Sequence, residues 1–159
     1  MLAKGNNVSE IKRILLATDL SELSGEATNY ACELSDRFGA ELHALYVFAD
    51  LLPSVDWSYP QLEEHLEKIQ KEESIALTKV IPEDWQKSHT VVHATAHGKP
   101  DAEIIGYAKE HEIDLIVLAT HGRTGLSHML IGSTAERVVR MAPCPVLTVH
   151  PDGHQFVMP

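Results

Sequence analysis

Glycine and polar residues dominate the stretch from Ala119 to Ser133, and these residue types suit the binding of an anion. Glycines allow the main chain to approach a phosphate closely, and N–H groups at a helix start carry a partial positive charge. A helix is predicted to begin at Ser133, directly after Gly132. Ser133 and Glu136 also have capping-box spacing, which is typical of a helix start without a ligand. Spacing alone leaves anion binding and a purely structural role equally open.

Two familiar phosphate-binding loops are excluded. The sequence contains no G-x-x-x-x-G-K-[ST], the loop of P-loop nucleotidases. No G-x-G-x-x-G follows the first predicted strand, so a dinucleotide-binding loop is also unsupported.

Ten histidines raise the question of a metal site. His89, His93 and His97 share parity along a predicted strand region and would line one face of it. Steps of four residues separate them by roughly 13 Å, which is too far for one metal ion. No metal ligand is therefore predicted, and solvated histidines are the favoured interpretation. His97 stands at the carboxyl end of its strand, where a ligand crevice would lie.

Strands and helices alternate along the chain that positions these residues. Short apolar runs predict strands at residues 13–18, 42–48, 90–96, 115–119 and 145–149. Helical stripes lie between them, one ending at Gly39, one amphipathic from Leu62, one opened by Pro100 and one from Ser133 to about Met141. This alternation predicts an α/β fold, a single doubly wound parallel sheet with helices on both faces.

Composition limits the function classes. The 159 residues favour one domain, predicted over 11–150 between an N-terminal extension (1–10) and a tail (151–159). A net charge of -10 argues against nucleic acid and anionic membranes as partners. No signal peptide, membrane-spanning run or close cysteine pair is present, since Cys32 and Cys144 lie far apart in sequence. These features predict a cytoplasmic protein.

The glycine-rich stretch resembles a known signature. Ala119-Thr120-His121-Gly122, then nine residues, then Gly132-Ser133 is similar to the nucleotide signature of the universal stress protein family, G-x2-G-x9-G-[ST]. The first strand with Thr18-Asp19 and the segment from Ala142 to Val146 also resemble that family. The resemblance covers nearly the whole chain. The first signature glycine is Ala119 here, which would be unfavourable if that position needed a positive φ angle.

The resemblance implies a five-stranded sheet of order 3-2-1-4-5 and an adenine-nucleotide site where its first and fourth strands end. It implies that Asp19 binds the ribose and that Thr18 and Val47 approach the adenine. The implied binding residues are Thr18, Asp19, Val47, Ala119, Gly122, Arg123, Gly132, Ser133 and Thr134, with the last three and Gly122 at the phosphates.

The resemblance also implies ATP as ligand, with AMP or cAMP as alternatives and Mg²⁺ able to bridge phosphate oxygens. It implies a regulatory or stress-response role and a homodimer formed through the last strand. Asp19 and His121 are the candidate catalytic residues. Ribose binding is the competing role for Asp19 and turn formation is the competing role for His121, so no catalytic residue is predicted. An interaction module that binds no nucleotide and a slow ATPase are the alternative functions.

Overall fold

The computed structural model describes residues 10–49, 62–120 and 131–150. Within them, five strands form one parallel sheet of order β3-β2-β1-β4-β5. The strands are β1 Arg13–Thr18, β2 Glu41–Ala49, β3 Val91–Gly98, β4 Leu115–Ala119 and β5 Val146–Val149. The helices are α1 Gly25–Phe38, α2 Leu62–Val80, α3 Glu83–Gln86, α4 Pro100–Glu110 and α5 Ser133–Met141, and a 3-10 turn at Glu22–Ser24 precedes α1. The predicted fold class and strand order are confirmed.

The central strand β1 is buried on both faces. Ile14, Leu15 and Leu16 are each 0% exposed. Because successive side chains of a strand point to opposite faces, Ile14 and Leu16 join one core and Leu15 joins the other. A continuous apolar run in the sequence is the expected signature of such a strand.

Each face of the sheet is covered by two longer helices. Ala27 and Ala31 of α1 and Leu77 of α2 pack into one core. Ile104 of α4 and Val138 of α5 pack into the other. The sheet is therefore doubly wound, and each helix contributes its apolar stripe to the core beneath it.

Several predicted boundaries shift in the structure. β3 begins one residue later than expected and extends to Gly98, which pairs with Ala49 of β2. β5 begins at Val146, because Pro145 has no N–H group, although its carbonyl accepts a hydrogen bond from Ile116 (3.0 Å). The short helix α3 was not predicted. The predicted stop at Gly39 is confirmed, with a left-handed φ of +63°.

Candidate functional site

The carboxyl ends of β1 and β4 lie side by side at the point where strand order reverses. β1 pairs with β2 on one side and with β4 on the other, and Ala17 lies opposite Leu118. The next residues along these two strands are Thr18 and Ala119. In a doubly wound sheet, ligands bind outside the carboxyl ends of the strands at this position.

The turn after β1 holds Asp19 through local hydrogen bonds. Its Oδ1 accepts hydrogen bonds from the N–H group (3.0 Å) and the hydroxyl (2.6 Å) of Ser21. The buried hydroxyl of Thr18 accepts one from the N–H of Leu20 (3.1 Å) and lies 3.1 Å from the hydroxyl of Ser24. Leu20 has a φ of +63°, which is uncommon for a residue other than glycine. The carboxylate is therefore oriented by its own turn.

The first turn of α5 lies beside the end of β4. Gly132 is the N-cap residue, and its N–H group donates to the carbonyl of Thr120 with an N···O distance of 2.7 Å. A Cβ atom added to Gly132 would lie 3.0 Å from that oxygen, a tight contact, so the close approach favours glycine. The first intrahelical bond runs from the Glu136 N–H to the Gly132 carbonyl (2.9 Å).

The predicted capping box at Ser133 is wrong. The helix begins one residue earlier than that motif requires, so Ser133 is its first helical residue and Gly132 occupies the cap. Gly132 has no side chain with which to cap the helix. The N–H groups of Ser133, Thr134 and Ala135 precede the first intrahelical bond and point out of the helix start. Such groups suit an anion.

Ala119 is the last residue of β4 and packs against the first core. Its φ is not positive, because Leu20 and Glu112 are the positive-φ residues other than glycine among those the structure describes. The left-handed conformation considered for this position is therefore absent. Val47, on β2, packs against the second core, and its neighbour Tyr46 pairs with Thr18.

The structure thus brings together most of the predicted site residues. Thr18, Asp19 and Ala119 lie at the ends of β1 and β4, and a backbone hydrogen bond links the residue after Ala119 to the Gly132–Thr134 segment. Gly122, Arg123 and the catalytic candidate His121 lie outside the described residues.

Three predicted histidines occupy different environments. His89 lies before β3, so its placement on that strand was wrong, and its ring stacks on Trp85 at 3.8 Å. Its Nε2 lies 2.6 Å from a carboxylate oxygen of Asp36. His97 stacks on Phe48 at 4.8 Å, and burial lowers the pKa of His93. Across the described part of the chain, no group of three or more histidine, cysteine, aspartate or glutamate residues is placed to hold a metal ion.

A polar cluster that was not predicted surrounds His43 near the amino end of β2. His43 is 5% exposed, and its Nδ1 lies 2.9 Å from the hydroxyl of Tyr107 on α4. Its Nε2 lies 3.6 Å from Glu41. Burial lowers the pKa of His43, and the carboxylate of Glu41 opposes that change. The alternation of β2 predicts the inward direction of this side chain, but its contacts with α4 depend on the folded arrangement.

The two cysteines are both free thiols. Burial, reinforced by the charge of Asp36, raises the pKa of Cys32 to about 11. Burial also raises the pKa of Cys144, which packs against the second core. Raised pKa values disfavour the reactive thiolate, so both residues are suited to packing rather than redox chemistry.

No helix in the described ranges is long and apolar enough to span a membrane.

Comparisons with known proteins extend the likeness to the whole described region. The sequence profile of the universal stress protein family matches residues 10–150. Universal stress protein MJ0531 of Methanocaldococcus jannaschii is 38% identical over 154 residues, which span 94% of this chain and 86% of that protein. The solved structure of UspA from Lactobacillus plantarum superposes with a TM-score of 0.72 at 27% identity, covering 89% of this chain and 99% of that one.

Two further structures with the same fold were solved with nucleotides. A universal stress protein in complex with cAMP has a TM-score of 0.62 and 20% identity, and covers 91% of this chain and 100% of that one. A family protein from Arabidopsis thaliana with AMP bound has a TM-score of 0.64 and 17% identity, and covers 89% of this chain and 93% of that one. The sheet order, the matched profile and the 38% identical relative together establish that the chain belongs to the universal stress protein family.

Proposed function

We propose that the chain binds an adenine nucleotide at the carboxyl edge of β1 and β4 and acts as a regulatory protein in a stress response. The observation that carries this proposal is that an oriented carboxylate, Asp19, follows β1 while a glycine-capped helix start lies beside the end of the neighbouring strand β4. The two features supply what a sugar hydroxyl and a phosphate each need. The AMP and cAMP complexes of proteins with this fold support the ligand class.

The start of α5 provides the proposed phosphate site. Its first N–H groups have no intrahelical acceptor, and the helix dipole adds a partial positive charge there. Bulk attraction is unavailable because the net charge is -10, so local donors must hold the anion. We assign Gly132, Ser133 and Thr134 to this role. Gly122 and Arg123 are assigned to the phosphates as well, because the resemblance to the family implies it.

Asp19 provides the proposed ribose contact. Hydrogen bonds from Ser21 already order its Oδ1, so little side-chain freedom is lost when a hydroxyl donates to the carboxylate. Thr18 and Val47 are assigned to the adenine. Ala119 needs no left-handed backbone, and its methyl group affects binding only through the space it fills.

ATP is the proposed ligand, with AMP and cAMP as alternatives. Mg²⁺ would be held mainly by phosphate oxygens and water rather than by protein side chains. Binding alone is sufficient for a regulatory signal, because a ligand that prefers one conformation shifts the population towards it. The predicted domain limits of 11–150 and the cytoplasmic location remain predictions from the sequence.

A homodimer through β5 is part of the proposal. β5 is the end strand of the sheet order, and Val139 and Met141 on the adjoining helix α5 are 49% and 62% exposed. Light scattering during gel filtration should give twice the chain mass of 17.6 kDa. A mass of a single chain at micromolar concentration would contradict this part of the proposal.

The nucleotide proposal is tested on the purified protein. The protein is heat-denatured, and the supernatant is analysed for released nucleotide by chromatography and mass spectrometry. Calorimetric titration with ATP, ADP, AMP and cAMP then measures affinity. Absence of both released nucleotide and binding would leave the interaction module as the function. Magnesium-dependent phosphate release that is lost in Asp19→Ala would instead support the ATPase.

Variants locate the site. Asp19→Ala should weaken binding about 10- to 100-fold, because a hydrogen bond to a charged group is lost. Asp84→Ala is the matched control, since the Asp84 carboxylate is 95% exposed on α3 and away from the site. Gly132→Val is unsuitable, because its Cβ would press on the Thr120 carbonyl whether or not a nucleotide binds. Removing phosphates from the ligand, from ATP to AMP to adenosine, tests the helix start without altering the protein.

A further inference from the structure

The buried residue Thr120 makes hydrogen bonds both to the last strand and to the residue that caps α5. We infer that Thr120 and His150 are positioning residues that hold the first turn of α5 in register with β5 and thereby set nucleotide affinity. The inference rests on the proposed function for its effect on affinity. The positioning itself concerns Thr120, Gly132, Val149 and His150, all of which the structure describes.

Thr120 is fixed to β5 by its backbone and its side chain. The residue is 1% exposed, and its N–H group donates to the carbonyl of Val149 (2.9 Å). Its hydroxyl lies 3.0 Å from Nδ1 of His150 and 3.4 Å from the Val149 carbonyl. When the hydroxyl donates to Val149 it can accept from a protonated Nδ1, so all three groups are satisfied together.

Thr120 is in turn fixed to α5. Its carbonyl accepts a 2.7 Å hydrogen bond from the Gly132 N–H, and a Cβ atom added to Gly132 would lie only 3.0 Å from the same oxygen. The carbonyl of Gly132 then accepts the first intrahelical bond from Glu136. A displacement of Thr120 by a few tenths of an ångström is therefore passed to the first turn of the helix, since close-packed atoms transmit strain.

Nucleotide affinity at the proposed site depends on the position of the N–H groups in the first turn of α5. Binding groups must be held within about 0.5 Å of their productive positions, and the supporting hydrogen bonds keep them there. His150 is exposed at the end of the edge strand, so it forms the outer end of a chain of contacts that reaches the proposed phosphate donors. Changes at the end of β5 are thus coupled to the nucleotide site.

Four variants test this coupling. Thr120→Val removes the hydroxyl while keeping the shape, and Thr120→Ser keeps the hydroxyl. His150→Ala removes the ring, and His150→Asn places an amide near the position of Nδ1. Thr78→Val is the matched control, because the exposed Thr78 hydroxyl on α2 makes a similar local bond to the Ile75 carbonyl (2.8 Å).

Two measurements are made on each variant. Calorimetric titration with ATP gives the affinity, and amide hydrogen exchange followed by NMR on the nucleotide-free protein gives the protection of the Gly132 N–H. Thr120→Val and His150→Ala should each weaken ATP binding about two- to tenfold, the worth of one net hydrogen bond, and should speed exchange at Gly132. Thr120→Ser and His150→Asn should restore both values towards wild type. The double variant Thr120→Val/His150→Ala should lose no more than the larger single effect.

The outcomes are distinct. Unchanged exchange at Gly132 in Thr120→Val overturns the inference, whatever the affinity. Faster exchange with unchanged affinity overturns the coupling to the nucleotide. Strictly additive losses in the double variant would show that Thr120 and His150 act independently, which overturns the inference that His150 acts through Thr120. Wild-type protein that binds no nucleotide refutes the proposed function and its affinity effect, while the exchange measurement still decides whether Thr120 and His150 position the helix.

Discussion

Asp114 links the start of β1 to the start of β4, and its removal should weaken the sheet. Its Oδ2 accepts hydrogen bonds from the N–H groups of Lys12 (2.8 Å) and Arg13 (3.0 Å). Hydrogen bonds to a charged group contribute about 1.5 to 3 kcal/mol each, but water can replace the exposed bond to Lys12. Asp114→Ala should therefore lower the free energy of unfolding by about 2 kcal/mol, most of it from the half-buried bond to Arg13.

Asp114→Asn separates charge from hydrogen bonding. One amide oxygen can accept from both N–H groups, as the single carboxylate oxygen does, but without its charge. The expected loss is about 1 kcal/mol, the value for a neutral hydrogen bond. For a chain of this length, the two variants should lower Tm by about 4 to 8 °C and about 2 to 4 °C.

Urea denaturation at neutral pH measures these losses, and an unchanged m value would show that only stability was altered. Asp84→Ala provides the control, because the Asp84 carboxylate is 95% exposed, and it should change the unfolding free energy by less than about 0.5 kcal/mol. If Asp114→Ala stayed within that same margin of about 0.5 kcal/mol, the carboxylate would not hold the two strands together and the reasoning would fail.

Three further predictions concern other parts of the molecule. Burial lowers the pKa of His43 below its ordinary 6.5, with Glu41 opposing. The unfolded chain therefore protonates this histidine at a higher pH than the folded protein does. His43 leaves the unfolding free energy unchanged above about pH 6.5 and lowers it as the pH falls from there towards the folded-state pKa. The urea midpoint of His43→Gln should therefore decrease less steeply with falling pH than that of the wild-type protein. The same pH dependence in both proteins would contradict this. Gly98→Ala should cost about 1 to 2 kcal/mol in thermal melts, because φ is +141° there. Its added Cβ would also lie 2.8 Å from the Glu103 carboxylate, so Glu103→Ala in the double variant should recover part of the loss, and full recovery would mean that φ is not the cause. The Cys32 thiol, whose pKa is raised to about 11, should react with a disulfide reagent far more slowly in the native than in the unfolded protein, and equal rates would refute its burial.

Strands buried on both faces were predictable from the sequence alone. β1 and β4 begin and end where the predicted runs do, because nearly all of their positions are buried and no polar alternation obscures the limits. The start of β5 was predicted one residue too early, at Pro145. The carbonyl of Pro145 accepts a hydrogen bond from the sheet, but the residue has no N–H group with which to complete the pairing. Local residue type thus predicted the elements better than their ends.

The first residue of α5, Ser133, was predicted correctly from the sequence, but the residue that caps the helix was not. Ser133 and Glu136 have the spacing of a capping box, yet the helix begins with Gly132 as its cap. At that cap, the Gly132 N–H donates to the Thr120 carbonyl at 2.7 Å, and a Cβ atom on residue 132 would lie 3.0 Å from this oxygen, a tight contact that favours glycine. A contact between residues 12 positions apart decides the outcome, and no pattern within the helix records it. The contacts of Asp114 with β1 were missed for the same reason, since they join segments about 100 residues apart.

The central place of β1 in the sheet also determines when the chain can fold during synthesis. One of its neighbours, β2, follows soon after it, but the other, β4, begins at Leu115, and Leu16 pairs with Val117. At about 5 to 20 residues per second, a ribosome needs roughly 5 to 20 seconds to make the intervening stretch. During that interval the apolar edge of β1 has no partner from its own chain. Growing chains are therefore most exposed to aggregation, and most in need of chaperones, in the window that closes when β4 emerges.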